Sequence, residues 1–259
     1  MVEPTHDAAR LVLACLDLTS LNADDDNRST AALVARALDA RARWGSAPAA
    51  LCVWPRFVAT VRAALPATIA VAAVANFPEG GLNVERAVHD TRTIVEAGGD
   101  EVDLVLPWRA LLDGDEIGAR RVVAAVRAAC PGRRLKLIVE SGALPDAATL
   151  RAACRIGLDE GADFLKTSTG KWAVGATLPA ARTMLEQIAT HPRAATVGFK
   201  AAGGIRRVEE ALAYIGLVRE ILGASALAPA RLRFGASGLL DDVERTLGGG
   251  AARPPAGGY

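Results

Sequence analysis

NVERAVHDTRTIVEAGG, residues 83–99, runs without a break into DEVDLVLPW, residues 100–108. The first segment sets Val84, Ala87, Val88, Thr91, Ile94 and Val95 on one stripe at helical spacing, and Gly98 ends it. The second is a short, almost continuously apolar run, the pattern of a strand covered on both faces in a parallel sheet. A helix that feeds at once into a buried strand is half of a βαβ repeat, and the same unit recurs on either side. Further strands are expected at 11–19 (LVLACLDLT), 49–55, 68–77, 134–142 (RLKLIVESG), 162–170 (ADFLKTSTG), 195–204 (ATVGFKAAGG) and 231–238 (RLRFGASG), with helices such as 116–130 and 207–223 between them. Eight units at a spacing of roughly 30 residues predict an α/β fold, a single (β/α)8 TIM barrel, because an open doubly wound sheet rarely uses eight even repeats. The barrel is expected to fill residues 1–248, with 249–259, ending AARPPAGGY, as a flexible C-terminal tail.

The composition narrows the partners. Thirty basic side chains stand against 29 acidic ones, for a formal charge of +1, so neither nucleic acid nor an anionic membrane is expected as the main partner. No apolar run approaches the ~18–20 residues that span a bilayer, and MVEPTHDAAR is a poor signal peptide. Cys15, Cys52, Cys130 and Cys154 show no CxxC spacing and read as free thiols of a reducing cytoplasm. The three scattered histidines give no metal motif, so no metal site is expected. Small molecules remain as partners, with a homodimer as the one assembly considered.

Of the 30 basic residues only four are lysines, Lys136, Lys166, Lys171 and Lys200, and all four fall on expected strands or the loop just after one. Barrel chemistry sits at the C-terminal ends of the strands. There the chain also places Asp17, Thr19 and Asn22 after the first strand, Asp103 in the fourth, Glu140 after the fifth, Thr167 and Thr169 after the sixth, and Arg206 after the seventh. A guanidinium cannot lose its proton, whereas a desolvated lysine beside another cation can, and then becomes a nucleophile. One inward lysine is ordinarily an ion-pair partner; three converging with Asp103 and Asp17 suggest an amine tuned to attack a carbonyl. At a pKa of ~10.4 about one lysine in 2,500 is neutral at pH 7, and lowering that pKa to ~7 costs about 4.6 kcal/mol of charge interaction. A second signal is glycine. Gly203-Gly204-Ile205-Arg206 after the seventh strand and Gly235-Ala236-Ser237-Gly238 after the eighth occupy the usual phosphate position of a barrel, and Gly170-Lys171 adds a cation.

LDLTSLN, LCVWPRF, GGDEVDLVLPWRALLDG, LKLIVESG, GADFLKTSTGKWAVGAT, VGFKAAGGIR, RFGASGLL and the terminal tyrosine together make a chain that resembles the deoxyribose-phosphate aldolases nearly end to end. The resemblance implies a carbon–carbon lyase that reversibly cleaves 2-deoxy-D-ribose 5-phosphate to acetaldehyde and D-glyceraldehyde 3-phosphate through a lysine Schiff base. It implies that Lys166 forms the imine, that Lys200 perturbs its pKa, and that Asp103 moves protons through a water. Tyr259 would assist proton abstraction. Lys136 would belong to the surrounding polar network, Asp17 and Thr169 would lie near the sugar hydroxyls, and Cys52 would be an active-site cysteine; Thr19, at the end of the first strand, is a further substrate-binding candidate. Gly170, Lys171, Gly203, Gly204, Arg206, Gly235 and Ser237 would contact phosphate. No cofactor is implied, because the protonated imine is itself the electron sink. Three departures stand out: Ala201 where many members have proline, Gly238 where many have a second serine, and the bulky Trp172. The residues also admit another Schiff-base barrel enzyme, a phosphosugar isomerase using Asp103 or Glu140, or a phosphate-binding barrel without catalysis.

Overall fold

The structure, a computed structural model, describes residues 5–249. Eight parallel strands, β1 (Leu16–Thr19), β2 (Ala50–Val53), β3 (Ala70–Ala75), β4 (Glu101–Val105), β5 (Arg134–Ile138), β6 (Phe164–Lys166), β7 (Gly198–Ala202) and β8 (Leu232–Ala236), pair in chain order and close, β8 against β1. The helices α2 (Asn27–Trp44), α3 (Val58–Ala64), α4 (Val84–Glu96), α5 (Trp108–Leu112), α6 (Glu116–Ala129), α7 (Ala147–Asp159), α8 (Leu178–Thr190), α9 (Val208–Leu222) and α10 (Leu239–Leu247) follow the strands, after α1 (His6–Ala14). This is the (β/α)8 barrel expected from the repeat.

Helix α4 shows how the local signals act. Asn83 caps it by accepting the Arg86 N–H at 2.9 Å, and Ala87, Thr91 and Ile94 are buried. The turn ends through Gly98 at φ +87°, a left-handed conformation that glycine adopts without steric cost. The strands then alternate. Leu16, Leu18, Leu135, Leu137, Leu165, Phe199 and Phe234 belong to the large apolar layer shared with the helices. Ala50, Cys52, Ala72, Val74, Val105 and Ile138 form a second, separate cluster inside the barrel. That interior is small and apolar on the β2–β3 side, and charged from β4 round to β1.

Several strands are shorter than expected, with 134–142 ending at Ile138 and 162–170 in strand only over Phe164–Lys166, and two expectations shift further. The run 11–19 is not one strand: residues up to Ala14 form α1, and only Leu16–Thr19 is β1. An apolar run of this length satisfies either period. Thr5 caps the helix by accepting the Ala8 N–H, and Ala9, Val12 and Leu13, at helical spacing, are buried where α1 packs on α9 and α10. The fourth strand stops at Val105 rather than Trp108, which starts α5 after Pro107. The expected tail lies almost wholly outside the described residues.

Candidate active site

Alternation along β4 to β8 and β1 turns Glu101, Asp103, Lys136, Lys166, Lys200, Arg233 and Asp17 into the barrel. All seven are at most 3% exposed. The register brings opposite charges level, Asp103 beside Lys136 on β5, and sets Lys166 beside Lys200 across β6 and β7. Asp103 is the hub. One carboxylate oxygen, Oδ2, accepts from Lys166 Nζ at 2.8 Å and from Lys200 Nζ at 2.7 Å; the other, Oδ1, accepts from Lys136 at 2.8 Å. Lys200 also reaches Asp17 at 2.5 Å. A lower tier holds these in place: Lys136 meets Glu101 at 2.5 Å, and Arg233 spans Asp17 at 2.5 Å and Glu101 at 2.9 Å.

Fully ionised, the cluster has three carboxylates against four cations, so one cation is in excess. The one whose pKa falls is Lys166. Burial, with the neighbouring Lys200 ammonium, lowers its pKa from the ordinary lysine value despite Asp103. Burial also works against Lys136 and Lys200, yet Asp103 and Asp17, with Glu101 for Lys136, raise both above the ordinary value and keep them charged. The carboxylates respond in kind. Burial alone would push Asp103 up, but Lys136, Lys166 and Lys200 together hold it well below the carboxylate range, and Asp17 is likewise depressed against its burial by Lys136, Lys200 and Arg233. Cys52 sits beside this hub, Sγ 3.9 Å from Asp103 Oδ2, and burial followed by that carboxylate pushes its thiol up.

Only Lys166 of these interior ions lines the cavity above, a space of about 530 Å³ at the C-terminal end of the strands. Thr19, Thr169, Gly170, Lys171, Gly203, Gly204, Arg206, Gly235 and Ser237 line it too, with Asn22 and Gly238. Asp17, Asp103, Lys136 and Lys200 lie beneath its floor, fully buried; Asp17 is therefore placed in the ionic layer and not on the cavity wall. Tyr259 lies outside the described residues.

The loops are set by specific bonds. Thr167 Oγ1 donates to the Ala202 carbonyl and accepts its N–H, both at 3.0 Å, which extends the β6–β7 ladder past Lys166. Glu140, fully buried at φ 54°, accepts the Thr169 N–H at 3.1 Å. Lys171 Nζ crosses to the Leu21 carbonyl at 2.6 Å and joins the loops after β6 and β1. Gly203 and Gly204 both take φ +88°, and a Cβ on Gly235 would meet Lys200 Cε at 3.0 Å, so glycine there leaves Lys200 its path. The two helix starts differ. Glu210 occupies the N–H groups of Arg206 and Arg207 at 2.8 and 3.1 Å, leaving Arg206 only its side chain, whereas no side chain caps α10 at Gly238. An uncapped N-terminus on a cavity is suited to an anion. Trp172 is not on the cavity wall; it stacks edge-on with Trp108 at 5.8 Å, with Arg109 over both rings.

Sequence reasoning missed Glu101 and Arg233. The signal for Glu101 was present, since it lies two residues before Asp103 on the same strand face. Arg233 was hidden among 26 arginines, although it lies two residues before Gly235 in the same alternation.

An amine buried at the foot of an open cavity, displaced toward its neutral form and flanked by a carboxylate that can exchange protons, is equipped to add to a carbonyl carbon. Fold and site together define a (β/α)8 barrel with a buried, carboxylate-flanked lysine at the foot of its C-terminal cavity. The chain belongs to the DeoC/LacD family of aldolases, whose family model matches residues 11–240. It is 46% identical over 257 residues to the deoxyribose-phosphate aldolase of Agrobacterium fabrum, covering 98% of this chain and 97% of that one. Solved structures share the fold. One from Toxoplasma gondii ME49 superposes with a TM-score of 0.83 at 22% identity, covering 94% and 95% of the two chains. The tetrameric deoxyribose phosphate aldolase of Aeropyrum pernix superposes with a TM-score of 0.69 at 22% identity, covering 92% and 91%.

Proposed function

We propose that this aldolase cleaves 2-deoxy-D-ribose 5-phosphate reversibly to acetaldehyde and D-glyceraldehyde 3-phosphate, with Lys166 as the Schiff-base nucleophile. The observation that carries the reading is the placement of Lys166: alone among the four interior cations it meets the cavity, and alone among them its pKa is lowered as a lysine. In the cleavage direction the neutral amine adds to the C1 aldehyde, and the carbinolamine takes up a proton and loses water, giving a protonated imine. The C3 hydroxyl loses its proton, C3 becomes the carbonyl carbon of the departing D-glyceraldehyde 3-phosphate as the C2–C3 bond breaks, and the electron pair of that bond passes into the imine to form an enamine. C2 then takes up a proton, and hydrolysis releases acetaldehyde and regenerates the amine. Asp103, 2.8 Å from Lys166 Nζ, is the group placed to move protons through water, and Lys200 holds its charge. The substrate phosphate would lie over the loops after β7 and β8, against the Gly238 end of α10, with Arg206 and Lys171 supplying charge.

Borohydride added with acetaldehyde should fix an adduct on Lys166, located by peptide mass spectrometry; inactivation with Lys166 unmodified would overturn the assignment. Turnover of deoxyribose 5-phosphate well above that of deoxyribose is the expected substrate preference. Among the described residues no helix is long and apolar enough to cross a membrane. We place the enzyme in the cytoplasm, in keeping with four cysteines that are all unpaired. The assembly we carry forward is a homodimer, which sedimentation would test.

A further inference from the structure

The opposite, N-terminal end of the barrel holds a second cavity, of about 740 Å³, that the proposed reaction does not use. Its walls carry four guanidiniums, Arg41, Arg133, Arg134 and Arg233, and only two carboxylates, Asp100 and Glu101. Both carboxylates are already engaged by cations outside the walls. Arg62 donates to Asp100 at 2.9 Å, and Lys136 meets Glu101 at 2.5 Å from inside the barrel. The cavity is therefore left with surplus positive charge.

Helix C-termini point toward this end of a barrel, and their free carbonyls alone would favour cations. That accounts for several neighbouring arginines. Arg62 donates to the carbonyls of Leu65, Pro66 and Ile69, Arg193 to those of Leu158 and Ala162, and Arg231 to that of Val197. Arg41 lies in the last turn of α2 and so feels the same helix end, but neither it nor Arg133 donates to a carbonyl among the described residues. Among the described residues Arg41 has neither a carbonyl nor a carboxylate partner. Arg133 has only Asp100, at 3.8 Å, beyond hydrogen-bond reach. Arg134 directs one nitrogen to Glu101, at 2.5 Å, and is otherwise over a third exposed. These three guanidiniums face one space with donors to spare.

We propose that this cavity binds a small dianion of the phosphate type, through Arg41, Arg133 and Arg134, at a site separate from the catalytic pocket. Forked guanidinium donors match phosphate oxygens in pairs, and three of them on one cavity, Arg41 from the last turn of α2 and the adjacent Arg133 and Arg134 at the start of β5, suit a tetrahedral anion better than a single carboxylate.

Phenylglyoxal modification of the intact enzyme, read by peptide mass spectrometry, tests this without a variant. Saturating inorganic phosphate should slow modification of Arg41 and Arg133 at least about fivefold and leave the exposed Arg151 unchanged. Equal rates with and without phosphate would mean that these arginines serve the helix ends only, and would overturn the proposal. Calorimetric titration with phosphate should show two sites per chain in the native enzyme and one in Arg41→Gln/Arg133→Gln, with deoxyribose 5-phosphate turnover retained. Both side chains are on the surface, so the variant is expected to fold; an isotherm unchanged by the substitutions would again overturn the site. Repeating the protection with glycerol 3-phosphate distinguishes sources. Protection by both anions supports a site for a phosphomonoester, and protection by phosphate alone supports one for the free ion.

Discussion

The two ends of the barrel use different cations, and the difference follows from what each cation can do. At the C-terminal end and just beneath it lie Lys136, Lys166, Lys171 and Lys200, all the lysine in the chain. At the N-terminal end lie arginines that hold loops by their carbonyls. Arg62 alone serves three carbonyls and Asp100, and Arg127 joins the Arg133 carbonyl to Asp163. A guanidinium presents five fixed donors and never gives up its proton, which suits stapling; an ammonium is a compact point charge whose proton can be removed, which suits nucleophilic chemistry. Arg233 is the boundary case. It is buried within the ionic layer, permanently charged, and pins Asp17 and Glu101 from below so that Lys136 and Lys200 can meet Asp103 from above.

The contrast breaks first, and most severely, at Lys166. Lys166→Arg keeps the charge and removes the nucleophile, so kcat/KM for deoxyribose 5-phosphate is expected to fall at least about a thousandfold, and borohydride should trap nothing. If turnover survived, the division between the two ends would lose its chemical meaning.

Asp103→Asn is expected to lower kcat by about a hundredfold or more, as for loss of a positioned acid–base group. It carries a second readout. In the native enzyme kcat/KM should rise with pH as Lys166 loses its proton, and level off below the ordinary lysine range. Because Asp103 works to raise the Lys166 pKa, the variant should show that rise at lower pH; a profile moved upward would contradict the electrostatic assignment.

Stability should respond to acid in a defined direction. Asp17 and Asp103 are held below their unfolded values, so their contribution is present at neutral pH and is lost as pH falls below about 4. Urea midpoints measured from pH 7 to pH 3 should drop most steeply at the acid end of that window.

At the other end of the barrel Arg62→Lys should separate the two properties. A single ammonium cannot span the Leu65, Pro66 and Ile69 carbonyls, so roughly 2 kcal/mol of stability should go while kcat is unchanged. A fall in kcat with unaltered stability would show that the stapling end reaches the chemistry.

The smallest effect is expected at Lys171→Met. KM for deoxyribose 5-phosphate should rise roughly tenfold, with kcat little changed and with turnover of unphosphorylated deoxyribose unaffected, since about 1.4 kcal/mol is a tenfold change and the ammonium acts only on binding.

Seven of the eight strands were legible because a strand buried on both faces leaves a compact apolar run between turn residues, often glycine or proline, and that signal is local. The first was not, because LVLAC fits a helix as well as a strand, and only the surface offered by α9 and α10 decides that Val12 and Leu13 bury there. Within the site, the strand-end lysines and the glycine loops could be read from position alone. Glu101 and Arg233 were marked only by their spacing of two from Asp103 and Gly235, which gives the strand face but not the depth, since a charged residue inside a barrel looks in sequence like one at its rim. Trp172 is a similar case. Next to Lys171 in the chain, it is turned by Trp108 and Arg109 away from the cavity.

What the sequence by itself determined was the repeat, hence the barrel, and the confinement of lysine to the strand ends where the site lies. Those are properties of residue type and spacing. The resemblance pointed to Lys166, but the physical reason that its pKa falls while that of Lys200 rises lies in the tertiary structure. Lys166 and Lys200 lie level on neighbouring strands and share one oxygen of Asp103, yet Lys200 has Asp17 as well and Lys166 has the open cavity. One more carboxylate within 2.5 Å keeps the one charged, and its lack leaves burial to favour the neutral amine of the other.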